Sequence, residues 1–288
     1  MTAATRTAGA PPSGIPVHHV TFWRVLRSEW IKFRTLRSTL WTVAITAVVM
    51  VGFALLVASL LGTDDPQMQQ GMQEDPGLQA MGMTGTTIVT VGYSFGQLAI
   101  AVLAALVVTS EWSTGMVRST FAAVPHRLPV LWAKLVVIVA ATIVLVTAAL
   151  AVAYVVTRPI LEEANLAVDL SEPAQVRALL GCVLYLATVA AFSLAVGTLM
   201  RHTAGTIFTL VALFFVLPII FQIIVTTTDA RWTDEVNMRL PSVAGERIIS
   251  TGTTPDTLLE PWTGYGVLAG YTVVLLVAAA VTIRRRDA

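Results

Sequence analysis

The run L-V-V-I-V-A-A-T-I-V-L-V-T-A-A-L-A-V-A-Y-V-V-T, from Leu135 to Thr157, carries no charged residue and no alternation of polar with apolar positions. About 20 apolar residues in helical form cross the hydrocarbon core of a bilayer, so this run suffices for one crossing. Helix is the form expected, because lipid offers no partner to an exposed backbone N–H or C=O. Five further runs of the same kind lie on either side, near Thr39–Leu61, Thr86–Thr109, Ala178–Met200, Ala204–Thr228 and Thr263–Ile283. None of the six contains Asp, Glu, Lys, Arg or His. Composition agrees: the 288 residues are 56% hydrophobic and 12% charged, where soluble domains carry about 25% charged residues. The expected fold is an all-α integral membrane protein with six transmembrane helices.

Basic residues in the connections set the orientation. With both termini cytoplasmic, that side holds Arg6, Arg24, Arg27, Lys32, Arg34, Arg37, Arg118, Arg127, Lys134, Arg201, Arg284, Arg285 and Arg286, which is most of the 18 Lys and Arg. Of the acids, only Glu29, Glu111 and Asp287 join them. Both ends are therefore read as cytoplasmic, in a multi-pass protein of the cell membrane. The first run is too long for the apolar segment of a cleaved leader and follows a long basic stretch, so it is expected to remain as a span. A net charge of +1 provides no broad basic field for nucleic acid.

Residues 1–17 are mostly small residues and proline, and are expected to be disordered. Residues 18–38 read as an amphipathic helix at the cytoplasmic interface, ahead of a six-span membrane domain over 39–288. At 100° per residue Phe22, Trp23, Val25, Leu26, Trp30, Phe33 and Leu36 share one arc, with Arg24, Arg27 and Arg34 opposite. Trp23 and Trp30 suit headgroup level, and the arginines suit anionic lipid. Glu29 lies inside the apolar arc, where it snorkels, pairs with Lys32 at i+3, or meets a basic group on a partner.

The first external loop is acidic and rich in methionine, and reads as a flexible polar loop rather than a copper site. Spans four and five are joined by a few residues around R-H-T as a tight hairpin, and Pro218 is placed to kink the fifth. The external segment near Asp229–Trp262 is too polar to span. Helical pieces lying at the outer interface, or re-entering where protein lines a cavity, fit it best. Gly92 and Gly96 have the spacing of closely packed helices, a pattern common by chance. Cys182 is alone and reads as a small filler. His18 and His19 have no companion ligand, no P-loop is present, and neither a metal nor a cofactor is expected in this chain.

Ion-coupled carriers usually place ionisable groups within the membrane, and these six runs have none. An external energy source is the simpler expectation. Attention then falls on the polar insert between spans two and three, T-S-E-W-S-T-G-M-V-R-S-T-F-A-A-V-P-H-R, from Thr109 to Arg127. Its S-T-G-M-V-R-S-T-F-A-A-V-P portion predicts a short cytoplasmic helix ending before Pro125. Met116, Val117 and Phe121 offer apolar contacts to a soluble partner, and Arg118 a charge. Glu111, at the boundary, can pair with Arg118 or with the basic N-terminal helix.

The stretch E-W-S-T-G-M-V-R-S-T-F-A-A-V-P-H-R resembles the cytoplasmic-loop motif of type-two ATP-binding-cassette (ABC) exporter permeases. S-E-W-I-K-F-R-T is similar to the start of actinobacterial members, and L-P-S-V-A-G to their external segment. The resemblance implies an ABC transporter permease: two six-span subunits, identical or different, each docking an ATP-binding subunit through a coupling helix, with substrate leaving through the seam. Carried over, Glu111, Gly115, Arg118 and Thr120 match the loop motif, Met116 and Phe121 stand beside them, and Glu29 and Lys32 match the interfacial helix. The chain itself is then no enzyme; ATP and Mg belong to the partner, and the cargo is hydrophobic or amphipathic. A membrane scaffold or sensor docking a regulatory protein through the same loop is the alternative.

Overall fold

A computed structural model describes residues 21–61, 84–228, 231–252, 254 and 257–285. The tail over 1–17 and the methionine-rich loop lie outside these residues. Helix α1 (Phe22–Thr35) turns at Leu36 into α2 (Arg37–Leu61), the first span. The second span is α3 (Gly85–Thr90) and α4 (Tyr93–Ser113), and short α5 (Met116–Ala123) leads to the third, α6 (Leu128–Glu163). The fourth is α7 (Pro173–Met200); the fifth is α8 (Thr203–Val211), a π turn (Ala212–Val216) and α9 (Leu217–Thr227). Then come α10 (Arg231–Asn237), α11 (Pro241–Glu246) with a 3-10 turn (Arg247–Ile249), and the sixth span α12 (Pro261–Arg285). Six helices are thus long and apolar enough to cross a membrane, and no strand occurs among the described residues.

Helix ends differ from the apolar runs in an instructive way. Hydropathy marks where lipid begins, whereas the backbone hydrogen-bond ladder continues past it. Thus α6 starts before Lys134 and continues beyond Thr157 through Pro159, while α4 extends past Thr109 to include Glu111. Glu111 and Lys134 therefore stand on rigid helices rather than in the loop between them.

Helix association in lipid depends on close packing rather than on escape from water. The fourth span has 72% of its most apolar stretch buried and the fifth only 11%, so α7 is the hub and the fifth lies at the margin. Small residues of α7, among them Ala178, Gly181, Cys182, Ala190 and Ala195, let neighbours approach; Cys182 is fully buried, as a filler would be. Gly92 and Gly96 do the same between the first two spans. A Cβ at Gly92 would clash with the Met50 backbone, and one at Gly96 would stand 3.0 Å from Met50 Cγ.

In the fifth span, Pro218 has no N–H for the Phe214 carbonyl four residues earlier. The π turn falls here, and Gln97 Nε2 from the second span reaches that carbonyl at 3.5 Å. Tyr185 of the fourth span donates its hydroxyl to Gln97 Oε1. A side chain of the neighbouring second span, itself held by Tyr185, thus reaches the carbonyl that the proline cannot serve, as a lipid setting demands.

Candidate functional site

The end of the bundle that carries α1, α5 and the last turn of α12 is here called the basic end. At Thr114 the α4 ladder closes on Ser110, and Gly115 then takes φ 73°, a left-handed conformation that glycine adopts without strain. Arg118 N–H caps back to the Gly115 carbonyl at 3.1 Å, starting α5. Val124 leaves the helical region ahead of Pro125, at φ −127° and ψ 84°, since the residue before a proline is disfavoured in helix. Nothing lies within 4 Å of a Cβ built on Gly115, so Gly115→Ala meets only backbone strain. A loss of about 1 kcal/mol in thermal or denaturant stability is expected. Gly115→Asn, whose side chain tolerates this conformation, should lose less.

Helix α5 has two faces. Val117 is buried and Phe121 partly so; the Phe121 ring meets Trp112 edge-on at 6.3 Å, with the Arg127 guanidinium 5.5 Å above it. Met116 and Arg118 are exposed, with Ser119, Ala122 and Ala123, while Thr120 is partly buried and bonds the Met116 carbonyl. Of the three apolar residues read as partner contacts, Met116 alone is exposed. Arg201, from the short loop between spans four and five, stacks its guanidinium 4.2 Å over Trp112. That loop is thereby tied to the root of α5.

Beside α5 lies a closed ring of four charges. Lys32 Nζ of α1 donates to Glu29 Oε1 at 2.7 Å and to Glu111 Oε1 at 2.9 Å. Lys134 Nζ of α6 reaches Glu29 Oε2 at 2.6 Å and Glu111 Oε1 at 2.7 Å. Glu29, Glu111 and Lys134 are buried, and Lys32 is the most exposed member. Burial by itself would lower the Lys32 pKa, but the hydrogen bonds and charges of Glu29 and Glu111 outweigh it and hold the pKa above its ordinary value. Two ammoniums thus neutralise two carboxylates where either charge alone would be costly.

The i+3 pairing of Glu29 with Lys32 is present, and Glu111 does turn toward the N-terminal helix. It does not pair with Arg118, which forms no ion pair among the described residues. Lys134 escaped the sequence reading except as one positive charge among many. Its signal was a lone lysine at the mouth of an apolar run. Around the ring, Phe33, Leu36, Val107, Met116 and Val137 line a cavity of about 310 Å³. Trp23 and Trp30 face outward from α1, whereas Val25 and Phe33 of the same arc pack inward.

Six helices long and apolar enough to cross a membrane, an amphipathic α1 and a short helix between spans two and three make this an all-helical membrane protein. The family model for ABC-2 family transporter protein matches residues 23–288, and the chain belongs to that family. It is a permease component of an ABC transporter. No curated protein matches the sequence.

Proposed function

We propose that this permease works outward, with its basic end in the cytoplasm of the cell, as the membrane half of an ABC exporter for a hydrophobic or amphipathic substrate. The observation that carries this reading is the position of α5. Its inner face is anchored on Trp112 and Val130, while Met116 and Arg118 are left exposed for a docking ATP-binding subunit. ATP and Mg bind on that partner. A second permease copy completes the pathway, with the weakly buried fifth span available to meet it. A push on α5 passes to α4 across Thr114 and Gly115, and the charge ring passes it on to α1 and α6. The partner shifts the permease between states only by its differential affinity for them.

Arg118→Glu tests the docking. Because Arg118 forms no ion pair among the described residues, the variant should insert and fold normally. It should lose about tenfold or more of substrate-stimulated ATPase activity in the reconstituted complex, the scale of a charge pair reversed at an interface. Full stimulation would remove α5 from the docking site. Recovery of a non-ATPase protein on α5 would favour a scaffold instead.

A further inference from the structure

At the end opposite the basic one, α11 and its 3-10 turn fold back against spans two, four and six. Their seats are glycines. A Cβ on Gly245 would strike Leu268 of the sixth span and stand 2.8 Å from the Tyr185 ring of the fourth. Gly181 of the fourth span lies under Ile248, where a Cβ would be 2.7 Å from the carbonyl oxygen, and Gly264 of the sixth lies under the Ala244 carbonyl. Ser242 through Gly245 and Arg247 through Ser250 are buried, so the segment closes this end of the bundle.

Glu246 ends α11 in the middle of that seat. Its Oε2 accepts a hydrogen bond from the Tyr93 hydroxyl of the second span at 3.2 Å, and the Tyr93 ring stands edge-on to Tyr185 at 5.8 Å. Glu246 as a residue is half-buried, but its carboxyl is enclosed at Tyr93, and that burial pushes it up to about 7, against the hydrogen bond from Tyr93 and the charge of Arg247. The charged and titratable groups facing it are Tyr93 from the second span, Tyr185 from the fourth and Arg247 beside it. Arg247 Nε is committed to the Leu259 carbonyl at 3.1 Å, and Glu260 acts on Arg247. The π turn of the fifth span has no ionisable residue; on the sixth, Tyr265 is bonded to Thr188 at 3.1 Å.

We propose that Glu246 is a proton-operated latch: protonated, it keeps α11 seated against Tyr93 and the glycines of spans four and six; ionised, it loosens the segment and opens this end. That the end is the exit for cargo rests on the exporter reading, but the latch does not. The sign follows from comparing the packed carboxyl, near 7, with its ordinary value of 4.5. The seated form is fully stabilised below about 4.5, loses stability as pH rises toward 7, and loses no more above that. Each pH unit within this window changes the seating equilibrium by up to about tenfold.

The test needs no transport. In the full-length chain with Cys182→Ser, the buried Ser242 of α11 is changed to cysteine, and its rate of maleimide labelling in detergent micelles is measured from pH 5 to 8.5. The same rates in a Glu246→Gln background cancel the thiol's own pH dependence. Relative to that background, labelling should rise up to about tenfold per pH unit toward 7 and then level. Tyr93→Phe should displace the profile along the pH axis. A constant ratio across the range, or a profile that Tyr93→Phe leaves in place, would overturn the latch. Loss of ATPase stimulation in Arg118→Glu leaves this result untouched, so the two readings fail separately.

Discussion

Lys134→Met is expected to destabilise the protein by about 3–5 kcal/mol, the usual loss when one partner is taken from a buried ion pair. The side chain is nearly isosteric and α6 remains a good helix, so neither packing volume nor propensity explains such a loss. What changes is the charge of the ring. Lys134 lies 2.6 Å from Glu29 and 2.7 Å from Glu111, and without it two buried carboxylates share Lys32 alone. Adding Glu111→Gln restores neutrality, since Glu29 and Lys32 remain as a pair. The double variant should therefore recover much of the loss, a non-additivity that a thermal-unfolding cycle in detergent reads directly. A single-variant loss under about 1 kcal/mol, with additive double-variant behaviour, would mean that water reaches the ring and screens it as it screens a surface pair.

Gly92→Ala should carry the next largest effect, about 1–3 kcal/mol or more, the range for overpacking a tight contact. Its added methyl would clash with the backbone oxygen and Cα of Met50, and a backbone cannot rotate away as a side chain can. Spans one and two would have to separate at the α3–α4 junction. Gly266 and Gly270 on the sixth span supply the control, since nothing lies within 4 Å of a Cβ at either. Alanine there should be neutral or slightly stabilising, through helix propensity. Comparable melting temperatures for Gly92→Ala and Gly266→Ala would show that the first two spans have room to adjust.

These cases mark what the sequence could carry. Gly92 and Gly96 were visible as a spacing, but such spacings are frequent in membrane helices, and only the position of Met50 makes this one a contact. Glu29 was visible as an acid in an apolar arc, and its local partner Lys32 followed from helical geometry. Lys134 did not follow, because it is 105 residues from Glu29 and no periodic pattern connects them. Phe121 and Val117 were grouped with Met116 by apolarity, yet α5 turns the first two onto Trp112 and Val130 and leaves Met116 exposed.

The chain by itself determined six crossings, the amphipathic α1, the short helix before Pro125 and membership of a permease class. Each depends on interactions with lipid or with residues a turn away, which a linear pattern records. The tertiary structure alone decided that Glu29, Lys32, Glu111 and Lys134 close into one neutral ring. It alone brought Gln97 to the carbonyl stranded by Pro218 and placed Glu246 against Tyr93. Those pairings join residues distant in the chain, and in a bundle they depend on which face each helix turns inward. Packing against all its neighbours at once sets that rotation, and no single segment contains the information.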